Sequence, residues 1–264
     1  MEEGAPGEDE VESSKASLLE HLIELRQRLI YSLITLLLCF AGCFYFAAEI
    51  YDLLLYPYVR ASGDDSDLRL IYTAPQEFFF TQLKVALFGG LFIGFPVIAA
   101  QLYMFVAPGL YRNERRAFLP FLIATPVLFL LGALLVYYIV MPLALRFFIG
   151  MEQPGIGGEV AIELLPRVSE YLGLVMTLIF AFGICFQLPV LLCLLARVGL
   201  LGADSLRSKR KYAIVGVFAV AALLTPPDFI SQLGLGLPTL LLYELSIVCV
   251  AMIERRHFPE EDEV

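Results

Sequence analysis

The sequence predicts an all-α integral membrane protein: six transmembrane helices in a curved bundle, N and C termini cytoplasmic, two external loops forming a cap. Composition is the first reason. At 59% hydrophobic residues and a mean hydropathy of +0.78, the 264-residue chain is too apolar for an ordinary soluble domain. The second reason is length. Apolar stretches cover about 29–48, 78–105, 119–141, 171–195, 212–224 and 230–253. Most reach the roughly 20 residues that cross a hydrocarbon core of about 30 Å, and the fifth is short. The third reason is charge. Of the 18 lysines and arginines, 13 fall at the termini or in the inner loops, four (Arg60, Arg69, Arg146 and Arg167) fall in the outer segments, and Lys84 lies within a span. An excess of basic residues marks the cytoplasmic side.

The elements follow in order. Residues 1–16 read as an acidic, disordered tail, since 1–12 hold six acids and no base. They lack the basic start of a signal peptide, so the first span is expected to be retained. Residues 17–256 read as a single six-span domain and 257–264 as a second acidic, disordered tail. The ends therefore account for most of the net charge of −9. Ser17 with Glu20 forms a capping-box signature, and Leu18, Leu19, Leu22 and Leu25 recur at helical spacing. An amphipathic cytoplasmic turn thus runs straight into the first span. The outer segment 49–76 holds Pro57, Gly63 and the run Asp64-Asp65-Ser66-Asp67, which reads as a short helix followed by a folded loop. The second outer segment, about 146–170, is rich in glycine and proline.

Proline punctuates the spans at Pro96, Pro120, Pro126, Pro142, Pro189 and Pro238. Each removes a backbone donor and tends to kink its helix, which is tolerated in a membrane when neighbours satisfy the freed carbonyl. Kinked helices of unequal length predict a curved bundle. No internal repeat is visible, which argues against an inverted-repeat transporter. A small-solute transporter would also need several charges converging at mid-membrane, and the basic residues avoid the core.

Polar residues inside apolar runs stand out against this background. Lys84 lies near the outer end of its span, where it can snorkel to the interface. Glu244 lies past the middle of the last span, either as a neutral acid hydrogen-bonded across helices or as a docking patch for a passing segment. Gln187 falls in the fourth span. Cys39, Cys43, Cys185, Cys193 and Cys249 all lie in apolar segments and read as packing residues, with no disulfide framework. His21 and His257 lack metal-ligand spacing, and neither a catalytic constellation nor a phosphate-cradling loop is visible. The expectation is a protein that is not an enzyme and uses no cofactor or metal.

The cytoplasmic face carries the clearest constellation. His21-Leu22-Ile23-Glu24-Leu25-Arg26-Gln27-Arg28 precedes the first span, and the run from Phe105 through Leu110 to Glu114, Arg115 and Arg116 joins the second to the third. Each presents one glutamate beside apolar side chains. Two carboxylates beside an apolar ledge suit a ligand with adjacent arginines followed by a hydrophobic stretch, because carboxylate and guanidinium bond bidentately. The alternative is that Glu24 and Glu114 only neutralise Arg26, Arg28, Arg115 and Arg116.

At these residues the chain resembles the TatC family, the multispanning core of the twin-arginine protein translocase. The resemblance also rests on Phe182-Gly183, on Phe186 with Leu188-Pro189-Val190, on Leu206-Arg207 with Arg210 and Tyr212, and on Leu223-Leu224-Thr225-Pro226-Pro227-Asp228. It implies a receptor for twin-arginine signal peptides that helps carry folded proteins outward, driven by the proton motive force, with single-span TatA-like and TatB-like partners in a homo- and hetero-oligomer. It implies that Glu24 and Glu114 meet the signal's arginines, with Phe105, Leu110, Arg115 and Arg116 in the same surface. It associates Tyr137, Thr225, Pro226, Pro227, Asp228 and Gln232 with the outer cap and partner contacts. On the residues alone, Asp228 is also a candidate N-cap of the last span. One departure concerns Gln187, where many family members carry glutamate. Glutamine keeps hydrogen-bonding capacity but cannot titrate, so polar docking rather than proton transfer is expected there.

Overall fold

The computed structural model describes residues 8–62, 70–106, 115–153, 164–225 and 228–257. The described residues are helical, joined by short turns, with one isolated parallel β-bridge between Ile71 and Arg167. Among the described residues, five helical runs are long and apolar enough to cross a membrane: His21–Tyr45, Glu77–Phe105, Pro120–Ile149, Val168–Arg197 and Phe229–Arg255. The fifth expected span is the 15-residue helix α9, Arg210–Leu224, only about 22 Å long at 1.5 Å per residue.

Helix α1, Glu8–Tyr45, begins upstream of the Ser17 start that the capping signature suggested. It packs along α3, Glu77–Val106, at a glycine seam. A Cβ on Gly90 would come within 2.8 Å of the Phe40 backbone, so the two helices meet there at backbone distance. Between them α2, Ala47–Ser62, packs against α3 and against the outer part of the third span.

The third span is continuous but not uniform. Helix α4, Arg115–Leu135, passes through a π-helical segment, Val136–Val140, into α5, Met141–Ile149. The cause is Pro142: it has no N–H to give the carbonyl four residues back, and its ring crowds that carbonyl. The turn before it widens, and the amide of Met141 bonds to Val136 O, five residues back. In the fourth span Pro189 has a harsher effect. Helix α6, Val168–Cys185, stops and α7, Leu188–Arg197, starts anew after the turn at Phe186 and Gln187, where Gln187 N bonds to Ile184 O at 2.9 Å. Two expected kinks are thus a π segment and a break.

The core lies between α2, α3, the π segment, α5 and α6, around Val85, Val136, Met141, Leu172, Leu178 and Phe182. Gly132 of α4 is pressed on α6, where a Cβ would meet Phe182 O at 2.8 Å. A second cluster joins α7 to α10, Phe229–His257, and to α8, Ala203–Ser208. Tyr243 donates to Leu206 O at 2.8 Å, and Glu254 accepts the amide of Ala203, closing the start of α8.

At the other end of the bundle the two outer segments touch. Ile71 N bonds to Pro166 O and Val168 N to Ile71 O, at 3.2 and 3.0 Å. Glu77, opening α3, accepts the amide of Thr73 at 2.9 Å and the hydroxyl of Ser169 at 2.5 Å. One carboxylate thereby ties the first outer segment to the second.

Candidate functional site

The first candidate surface is the ledge where α1 crosses the C-terminal end of α3. Glu24 and Arg28, one helical turn apart, form an ion pair at 3.2 Å, each side chain a little over a quarter exposed. Arg28 is held on its other side by α3, donating to Gln101 Oε1 at 3.1 Å and approaching Met104 Sδ at 3.7 Å. His21 stacks on Phe105, ring centroids 4.4 Å apart. The charge on Glu24 is therefore fixed at a defined point, with Leu22, Ile23 and Leu25 exposed around it. The alternative partner foreseen for Glu24 is present, since Arg28 does neutralise it. The pair is only partly buried, so an incoming guanidinium can compete for the carboxylate.

Of the other residues assigned to this surface, Leu110 and Glu114 lie outside the described residues. Arg115 and Arg116 open α4 without described side chains. Sequence reasoning missed Gln101, Met104 and the stacking role of His21. A polar Gln101 in an otherwise apolar span end was the available signal.

Gln187 does not offer an open polar patch. Its Nε2 donates to Thr125 O of α4 at 3.1 Å and to Gly183 O at 3.3 Å. The Gly183 carbonyl takes this side-chain donor where the Gln187 amide has turned to Ile184 O. Its Oε1 is buried without a partner among the described residues. The side chain ties the broken fourth span to the third. Gln187→Leu is therefore expected to remove both bonds and cost about 1–3 kcal/mol of stability. Thermal unfolding in detergent reads this, and an unchanged midpoint would contradict the tie.

Of the two roles expected of Glu244, the hydrogen bond across helices is present, and its donor is a cation. Arg210 donates to its Oε2 at 2.7 Å, with both side chains about half exposed. The reason is the shortness of α9: its first residue reaches only as far as the middle of α10. Exchanging the charges (Arg210→Glu with Glu244→Arg) should restore the stability that either single change removes. A double variant no better than the sum of the singles would show that the pair contributes nothing.

The residues associated with the outer end separate into three positions. Tyr137 donates to Leu53 O at 2.7 Å and stacks on Tyr56. Pro57 explains that bond: lacking an N–H, it leaves the Leu53 carbonyl unpaired within α2, and the Tyr137 hydroxyl takes its place. Thr225, buried, ends α9 in extended backbone, as expected before a proline, with its hydroxyl on Ala221 O at 2.9 Å. Pro226 and Pro227 lie outside the described residues. Asp228, 7% exposed, accepts the Ser231 amide at 2.6 Å and so caps α10, the structural alternative the sequence offered. Its Oδ2 is buried without a partner among the described residues. Gln232 is half-buried in the first turn of α10.

The fold and the ledge together define a helical, multi-pass membrane protein with a charged and aromatic surface at one end of its bundle. The comparisons narrow this. The family model of the Sec-independent protein translocase protein (TatC) matches residues 20–238. A TatC of Magnetococcus marinus is 47% identical over 247 residues, covering 94% of this chain and 88% of that protein. A TatC of Aquifex aeolicus is 39% identical over 239 residues, covering 90% and 96%. A crystal structure of a twin-arginine translocase receptor, TatC, superposes with a TM-score of 0.74 at 39% identity, covering 89% of this chain and all of that one. The chain belongs to the TatC family.

Proposed function

We infer that this chain is the receptor and multispanning core of a twin-arginine protein translocase, which recognises the signal peptides of folded cargo and draws on the proton motive force to export them. The observation that carries the reading is the superposition on a solved twin-arginine translocase receptor over nearly the whole chain, with Glu24, Phe105 and exposed leucines together on one ledge. The ledge supports recognition chemically: a fixed carboxylate for a guanidinium and an apolar shelf for the hydrophobic stretch that follows it. In this reading Glu114, Leu110, Arg115 and Arg116 complete the surface.

The finer assignment places the protein in the bacterial inner membrane with six spans, α9 being the fifth, and both termini cytoplasmic. Residues 17–256 act as one translocase domain between acidic tails. The outer segments tied through Glu77 form a cap, supported by the Ile71–Arg167 bridge. Partners are single-span TatA-like and TatB-like subunits. They would dock along α9, whose Tyr212, Val215, Val220 and Leu223 are exposed, and near Gln232. Photocrosslinkers at Ile23 and Phe105 test the receptor role against synthetic signal peptides. Adducts with a twin-arginine peptide that fall away for its twin-lysine counterpart are expected, because lysine cannot bond bidentately. Equal labelling by both peptides would overturn the assignment.

A further inference from the structure

One cavity lies away from every site residue considered so far except Tyr137 and its partner Leu53. About 310 Å³ in volume, it sits under α2, between α3 and the third span, walled by Leu53, Phe88, Ile93, Ala133, Leu134 and Tyr138 among others. Its walls are almost wholly apolar, and Ile93, Leu134 and Tyr138 are exposed, so it opens toward the membrane. Three features keep it from filling with side chains. Gly89 and Ala133 supply walls of little or no side chain. The π segment forced by Pro142 turns Tyr137 away onto the α2 backbone.

The shape and chemistry select an occupant. Water is excluded, because the walls offer it almost nothing to bond. An α-helix, about 10–12 Å across, is too wide for a space of this size. A single flexible hydrocarbon chain fits. The rim supplies the rest: Tyr56 stacks on Tyr137, and Arg60 follows Tyr56 by one turn of α2, exposed. Arg60 stands six residues beyond the wall residue Leu54, so its charge lies about 9 Å along the helix from the apolar wall. We propose that this cavity is a binding site for one anionic phospholipid of the leaflet opposite the termini. One acyl chain fills the gap under α2, and the phosphate is held at Arg60 through guanidinium hydrogen bonds. The proposal rests on the membrane orientation inferred above.

The chain contains no tryptophan, which makes the test direct. Tyr138→Trp places a single fluorophore at the cavity mouth, and Leu37→Trp places one on the exposed face of α1 as the bulk-lipid control. Each protein is reconstituted in phosphatidylethanolamine vesicles with increasing phosphatidylglycerol carrying brominated, quenching chains. Half-maximal quenching at the cavity is expected at about fivefold lower phosphatidylglycerol than at the control, as one arginine near a membrane surface supports. Brominated phosphatidylethanolamine should show no such preference in the same protein. Arg60→Gln should remove the preference, and Ala133→Leu, by filling the cavity, should bring the quenching curve at Tyr138→Trp onto that of the control. Identical curves for cavity and control, or equal preference for the zwitterionic lipid, overturn the proposal while leaving membrane insertion intact. Absence of quenching at both positions overturns the membrane reading instead.

Discussion

Glu114→Ala is expected to lower affinity for a twin-arginine signal peptide by about one to two orders of magnitude, since losing one charge-assisted bond costs about 1.5–3 kcal/mol. Adding Glu24→Ala should abolish detectable binding. The structure refines what the second change does. Glu24 already shares its charge with Arg28, which in turn is tied to Gln101 on α3. An arriving guanidinium therefore displaces a partner instead of meeting a bare carboxylate, and Glu24→Ala alone should cost toward the lower end of that range. Calorimetric titration of the purified, inserted protein at two salt concentrations measures all three. Wild-type affinity in the double variant would sink the receptor role of these carboxylates. Arg115→Ala separates recognition from local neutralisation: if Glu114 served only Arg115, this change would reproduce the loss.

Gly132→Ala is expected to be among the most damaging single methyls that can be added to the bundle. The Cβ would press on Phe182 O, a backbone atom that cannot rotate aside, at 2.8 Å. Overpacking of this kind costs about 1–3 kcal/mol, offset only in part by the helix propensity of alanine, about 1 kcal/mol over glycine. Gly132→Leu should prevent α4 and α6 from meeting at all. Gly173, on the same helix as Phe182, has nothing within 4 Å of its Cβ position, so Gly173→Ala should be neutral or stabilising by up to about 1 kcal/mol. Thermal unfolding in detergent compares the two, and similar midpoints for Gly132→Ala and Gly173→Ala would show that the α4–α6 seam is looser than described.

Hydrophobic length and the placement of arginine and lysine made the helical, multi-pass architecture legible, because both follow from one-dimensional composition. The same is true of the Asp228 cap, which needed only a proline pair and a helix start. What the sequence did not show depends on distance across the bundle. Proline at 142 and at 189 announced distortion, but not that one would widen a turn and the other break the helix; that depends on what can donate to the freed carbonyls. Gln187 was legible as a polar residue within a span, yet its partner, the Thr125 carbonyl, is backbone and leaves no mark in the sequence. Glu244 was read without Arg210 because the two are 34 positions apart. Only the short reach of α9 brings them to one level. The Glu24 ledge was visible because both of its helices carry the motif near their inner ends, while Gln101 was overlooked because one amide in an apolar run resembles noise.

The π segment at Val136–Val140 has a consequence for every comparison made along the third span. An ordinary helix advances each residue by about 100°, so a face once identified stays in phase down its length. One widened turn inserts a dislocation, and residues beyond it are out of step with those before it. Ala133 and Val136 belong to the buried side ahead of the fault, Met141, Ala144 and Leu145 to the buried side after it. Homologous chains that lack a proline at the position of Pro142 can keep every apolar residue here and still present the outer half of the span to different neighbours.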